Sequence, residues 1–203
     1  MDEAEWLACE VVYQALIHVR GYASLRKLRL VAAAYARWLQ SLPSYEHARP
    51  CADIIEEVAD EPKGWGELEL RLYSLPGSDW RLSHTLIRDD QVGQGLSKMV
   101  WMTEDEFRRR SESPHAVHLT MIRLLHEAFG NPFRPVAPGP WVTPAAVTSA
   151  QDMYDLRDFS TLPVLADLLE EAGCPEQSVL DHCRTPGDHV RGCWVVDLVL
   201  GKV

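Results

Sequence analysis

Between Asn131 and Pro144 the chain places five prolines and one glycine in fourteen residues. Proline fixes φ, lacks an amide donor and biases the residue before it away from the helical region, so neither a helix nor a central strand can run through this stretch. The pattern predicts an irregular, stiff connector and the clearest boundary in the chain. The 203 residues, 46% of them apolar, suffice for one compact domain or two small ones.

Upstream of the connector the punctuation is helical. Asp2 followed by Glu5 has the spacing of a capping box, and Trp6, Cys9, Val12, Tyr13, Leu16 and Ile17 recur at helical intervals up to Gly21. Ser24 is placed to cap a second helix carrying the stripe Leu28, Val31, Ala32, Tyr35, Trp38 and Leu39, which Pro43 ends. A third helix is predicted over Cys51 to Asp60, so residues 1–62 read as an N-terminal helical region. Residues 63–130 read as mixed. Leu68, Leu70 and Leu72 alternate with Glu67, Glu69 and Arg71 as in a hairpin strand, and Arg81 to Ile87 and Lys98 to Met102 add strand candidates. Thr103 with Glu106 repeats the capping-box spacing, and His115 to Phe129 returns to helical periodicity before Gly130. Within residues 131–203, Thr143-Pro144, Pro163, Pro175 and a last apolar run from about His189 to Leu200 predict three or four helices. The expected fold class is mainly α, a helical bundle or stacked helix pairs with a small central insertion of β character.

Charge narrows the function classes. The net charge is −10, with ten acidic against four basic side chains in residues 151–203, which argues against a general nucleic-acid binder. No apolar run approaches the roughly 20 residues of a membrane span, and Met1 to Glu10 lacks the basic start and apolar centre of a signal peptide. The expectation is a soluble, cytoplasmic protein. Cysteines at 9, 51, 174, 183 and 193 are odd in number and form no CxxC pair, which fits reduced thiols.

The densest group of potential ligands is Cys174, His182, Cys183, His189 and Cys193. His189 and Cys193 are four apart and would share a side of a helix, a workable zinc spacing that Cys174 or Cys183 would complete. The adjacent His182 and Cys183 diverge on a helix, so the candidate metal set is Cys174, Cys183, His189 and Cys193. The competing reading buries all three cysteines as core residues. A thiol nucleophile at Cys183 or Cys193, with His182 or His189 as base, lacks a glycine-rich oxyanion loop beside it. Gly93-Gln94-Gly95 lacks the third glycine of a dinucleotide loop, and no P-loop lysine is present. Arg134, Trp141, Arg191 and Trp194 are of types enriched at interface hot spots and form the candidate interaction set. Alternatively, Phe129, Phe133, Trp141 and Trp194 form a core, with Arg191 paired to Asp188 or Asp167.

Several stretches resemble an uncharacterised helical family abundant in planctomycete genomes: EAEWLAC, RKLRLVAAAYARWL, FGNPFRPV followed by Trp141-Val142-Thr143-Pro144, LPVLADLLEEAGC, and HVRGCWVVDLVLGK. The resemblance covers roughly the first 60 and last 80 residues. It implies a bacterial protein whose C-terminal region is a recurring unit, and it supplies no activity or site residue. Many relatives carry paired cysteines after the KLRL stretch, where this chain has Ala33, Ala34, Tyr35 and Ala36. The expected function is a non-catalytic protein-interaction or regulatory module with a protein partner. The alternative is a zinc- or thiol-dependent enzyme, or a structural zinc site, built on the C-terminal cysteines and histidines.

Overall fold

A computed structural model describes residues 1–42, 48–60, 70–71, 74 and 92–202. The chain forms two compact units, Met1–His126 and Glu127–Val203. Among the described residues there are ten helices and no strand, so the fold is mainly α. No described helix is long and apolar enough to cross a membrane.

In the first unit, α1 (Glu3–Leu7) opens on the expected box: Glu5 N–H donates to the Asp2 carboxylate and Asp2 N–H to the Glu5 carboxylate, each at 2.8 Å. The helix does not continue to Gly21. It breaks at Ala8 to Val11, and α2 (Val12–Arg20) starts afresh. Trp6 and Val12 are both fully buried, yet six residues apart they would diverge by about 120° on one continuous helix. The break lets both face the core.

Ser24 caps α3 (Leu25–Leu39) by accepting from the Lys27 amide. This helix packs on α4 (Ala48–Asp60) and α5 (Val92–Arg109). Its run Ala32-Ala33-Ala34 is buried, and Arg26 pairs with Asp60, and Arg37 with Asp53 and Glu56, across to α4.

The strand expected over Lys98–Met102 is overturned, because these residues lie inside α5. Thr103 is likewise no cap. Its hydroxyl donates to the Met99 carbonyl four residues back at 2.9 Å, as mid-helix threonines do. The acidic run then meets the arginine run at i,i+4 spacing, Glu104 to Arg108, Asp105 to Arg109 and Glu106 to Arg110, which supports the helix. Leu70 and Arg71 are helical, whereas Leu68, Leu72 and Arg81 to Ile87 lie outside the described residues.

Glu104 is buried and receives the Tyr13 hydroxyl from α2 at 3.1 Å, His118 Nε2 from α6 (His115–Phe129) at 2.6 Å, and Arg108 at 2.7 Å. Burial and the Glu104 charge push the Tyr13 phenol up to about 12. A phenol whose pKa is raised by folding adds stability that is complete below its unfolded value of about 10 and is lost as pH rises through the folded value.

The second unit contains α7 (Pro144–Leu156), α8 (Leu162–Glu171), α9 (Gln177–Arg184) and α10 (Trp194–Leu200). Thr143 accepts from the Ala146 amide with Pro144 at the first helical position. Helix α8 packs on α7 and α9, and α10 packs on α7 and α9. Their shared core includes Tyr154, Leu165, Leu169, Val179, Val195 and Val196. The last helix begins at Trp194, so His189 lies in the loop before it rather than within it.

Removing Glu104 leaves the His118, Tyr13 and Arg108 donors without their shared acceptor. Glu104→Ala is expected to destabilise the chain by about 3 kcal/mol in urea unfolding and to bring the Tyr13 phenol down from about 12 in an absorbance titration. An unchanged urea midpoint would remove the network from the account.

Candidate metal centre

Glu127 sits in the last turn of α6 and belongs to the second unit. The other groups come from α9 and the loop that follows it. In α9, Val179, Leu180 and Cys183 face the core, and His182, one position from Cys183, is half-buried at its margin. Thr185 caps the helix, with its hydroxyl on the Asp181 carbonyl at 2.7 Å. Pro186 and Gly187 turn the chain, and Gly192, at φ +93°, turns it again in a conformation that favours glycine. Cys193 is thereby delivered, fully buried, to the start of α10.

These turns bring one ligand atom each from Glu127, His182, His189 and Cys193 to within 4.8 Å of one another. His189 Nδ1 is 3.0 and 3.2 Å from the two Glu127 oxygens. His182 Nε2 is 3.2 Å from Cys193 Sγ and 3.4 Å from Glu127 Oε2. The two imidazole rings meet edge to face at 5.1 Å. His189 Nε2 faces the Thr185 carbonyl at 3.3 Å. A carbonyl only accepts, so Nε2 carries the hydrogen and Nδ1 is the atom offered to the centre.

The electrostatics are those of a buried anion met by cation-forming groups. Burial works to raise the Glu127 pKa, but the hydrogen bonds and charges of His182 and His189 outweigh it and hold the carboxyl at about 2. The hydrogen bond to Glu127 raises His189 against an opposing effect of burial. Burial and then the Glu127 charge push the Cys193 thiol well above its ordinary value, against the Val195 and Val196 amides.

A carboxylate oxygen, two imidazole nitrogens and a sulfur form a donor set of borderline softness, suited to zinc and its neighbours. Ligand bonds of 2.0–2.3 Å in a tetrahedron imply edges of roughly 3.3–3.7 Å. Three of the six separations, at 3.0 to 3.4 Å, stand within a few tenths of an ångström of that figure, and all six lie within 4.8 Å.

The arrangement suits a thiol nucleophile poorly. Glu127 Oε2 and Cys193 Sγ approach the same nitrogen of His182, whereas a nucleophile, base and orienting acid need the two opposite ring nitrogens. Cys193 is also closed to solvent, with its thiol pKa raised rather than lowered.

Of the metal set expected from sequence, His189 and Cys193 meet, although not through helical spacing. Cys174 and Cys183 are outside the four-atom group and lie in the apolar core. Burial, followed by the charges of Glu127 and Cys174, pushes the Cys183 thiol up to about 12. His182 replaces its neighbour Cys183 because the core takes the cysteine side of α9. Glu127 was not anticipated, since it lies far upstream in a helix whose periodicity says nothing about residues after the connector.

The interaction set is also redistributed. Arg134 is exposed, but Trp141 is 5% exposed and part of the core, which removes it from any surface. Arg191 lies over the Tyr154 ring at 4.3 Å. Trp194 is half-buried, with its indole 5.3 Å from the His182 ring. Phe133 remains exposed, and it is Arg184 that pairs with Asp167, together with Glu170.

No family model matches the chain, and neither the curated proteins nor the solved structures contain a match.

Thiol labelling checks the placement of the cysteines. Cys9 and Cys51 are partly exposed and Cys174, Cys183 and Cys193 buried, so the native chain should react rapidly at two thiols and at all five only in denaturant. Rapid native labelling of Cys193 would contradict its position.

Proposed function

We propose that the chain is a non-catalytic helical module whose C-terminal unit is organised by a divalent ion of the zinc class, held by Glu127, His182, His189 and Cys193. The observation that carries this reading is the convergence of four ligand atoms of three elements within 4.8 Å, all inside one compact unit. Four protein ligands complete a tetrahedron, and a closed tetrahedron is the mark of a structural site, since a catalytic zinc keeps one position for water or substrate. The Thr185 carbonyl on His189 supplies the outer hydrogen bond that orients a ligating imidazole.

The wider role is regulation through a protein partner. The closed ligand set and the acidic surface, which disfavours nucleic acid, both support it. Thiolate ligation requires reduced cysteine, which supports a reducing cytoplasm as the protein's setting. The C-terminal unit is read as the recurring unit of the planctomycete family that its sequence resembles.

The test is metal content and melting on one purified sample. One zinc per chain is expected, and its removal by a chelator should lower stability by about 4 kcal/mol under conditions where free zinc stood a thousandfold above Kd. His189→Ala and Cys193→Ala should each abolish stoichiometric binding. A wild-type chain that neither carries zinc nor takes it up in titration would overturn the reading.

A further inference from the structure

The centre has an unusual neighbour in the indole of Trp194. Gly130 ends α6 three residues after Glu127, in the left-handed region at φ +58°. A Cβ built on Gly130 would lie 2.9 Å from Trp194 Cδ2 and 3.1 Å from Cγ and Cε2. The five-membered part of the indole thus occupies the space where any other residue would carry its side chain. The same indole meets the His182 ring at 5.3 Å and 60°, and Trp194 directly follows Cys193 in the chain. Three of the four ligands are therefore referred to one rigid group: Glu127 through the helix end at Gly130, His182 through ring contact, and Cys193 through the backbone.

We propose that Trp194, seated on Gly130, is a positioning residue that sets the distance of the Glu127 carboxylate from His182 and Cys193 and thereby the affinity and geometry of the bound zinc-class ion. This rests on the metal reading above. A wedge of this kind acts because ligand atoms must sit within a few tenths of an ångström of their bond lengths. Groups just outside a metal's ligands commonly change affinity 10- to 100-fold. A flat, stiff indole in contact with two elements transmits a displacement of either one.

The experiment uses the full chain and reads zinc affinity by competition with a chromophoric chelator, and cobalt by its d–d absorption. Gly130→Asn adds a Cβ while keeping a residue that tolerates the left-handed region. Trp194→Ala removes the wedge and Trp194→Phe preserves a ring in its place. The expected result is a zinc Kd weakened about 10- to 100-fold in Gly130→Asn and Trp194→Ala, with a displaced cobalt band. The double variant should be no weaker than Trp194→Ala alone, because the two changes act on one contact. Trp194→Phe should stay within about threefold of wild type, which a merely space-filling role for the whole indole would not produce. Melting of the chelated proteins serves as the control for folding.

Affinity and cobalt spectrum unchanged in Gly130→Asn or in Trp194→Ala would overturn the wedge, as would strictly additive losses in the double variant. Should Gly130→Asn fail to fold, the comparison of Trp194→Ala with Trp194→Phe decides, and equal losses overturn the proposal. A wild-type chain that binds neither zinc nor cobalt removes the metal reading and the wedge together, whereas normal wild-type binding with unaffected variants removes the wedge alone.

Discussion

A carboxylate taken out of water costs several kcal/mol unless its charge is met, and the C-terminal unit meets that cost for Glu127 with two histidines and a cysteine from distant positions. The requirement organises the surrounding chain. It demands that α9 end where His182 reaches the margin of the core, that the Thr185 to Gly192 segment double back, and that Cys193 be buried at the start of α10. Thr185 closes the end of α9 and its carbonyl also fixes which nitrogen His189 presents. The packing of α7, α8 and α10 provides the apolar wall. The polar centre then specifies how the loop lies against it.

The first unit solves the same problem differently. Glu104 is more deeply buried than Glu127, but its partners are a phenol, one imidazole and the Arg108 guanidinium. Arginine stays protonated and cannot ligate a cation, so this set is a hydrogen-bond network with its positive charge built in. Around Glu127 the converging groups among the described residues are two imidazoles and a thiol, and each is a ligand once deprotonated. The two glutamates differ in the identity of their donors, and that difference is what makes only the Glu127 group a candidate metal centre.

Local signals were the legible part of the fold. The Asp2–Glu5 box, the Ser24 cap and Thr143-Pro144 involve groups within four residues of each other, and such contacts form whenever the segment is helical. The failures were equally local in origin. Lys98 to Met102 is too short an apolar run to separate strand from helix, and α5 becomes evident only with the packing of its neighbours α2 and α3. Thr103 followed by three acids looks like a helix start, yet a hydroxyl can instead donate to the carbonyl four residues back, and only the structure shows that it does.

For the candidate site, residue chemistry expected His189 and Cys193 together through helical spacing. His189 and Cys193 meet because a loop folds back, not because four residues complete a helical turn. The sequence by itself determined the helical class, the stiff connector and the supply of histidine and cysteine near the C-terminus, because propensity, capping and composition act over a few residues. The tertiary structure alone decided that His182 turns toward the centre while Cys183 turns into the core, and that Glu127 from the end of α6 joins them. Those choices depend on burying apolar faces contributed by separate helices, and no local pattern records which face another segment will cover.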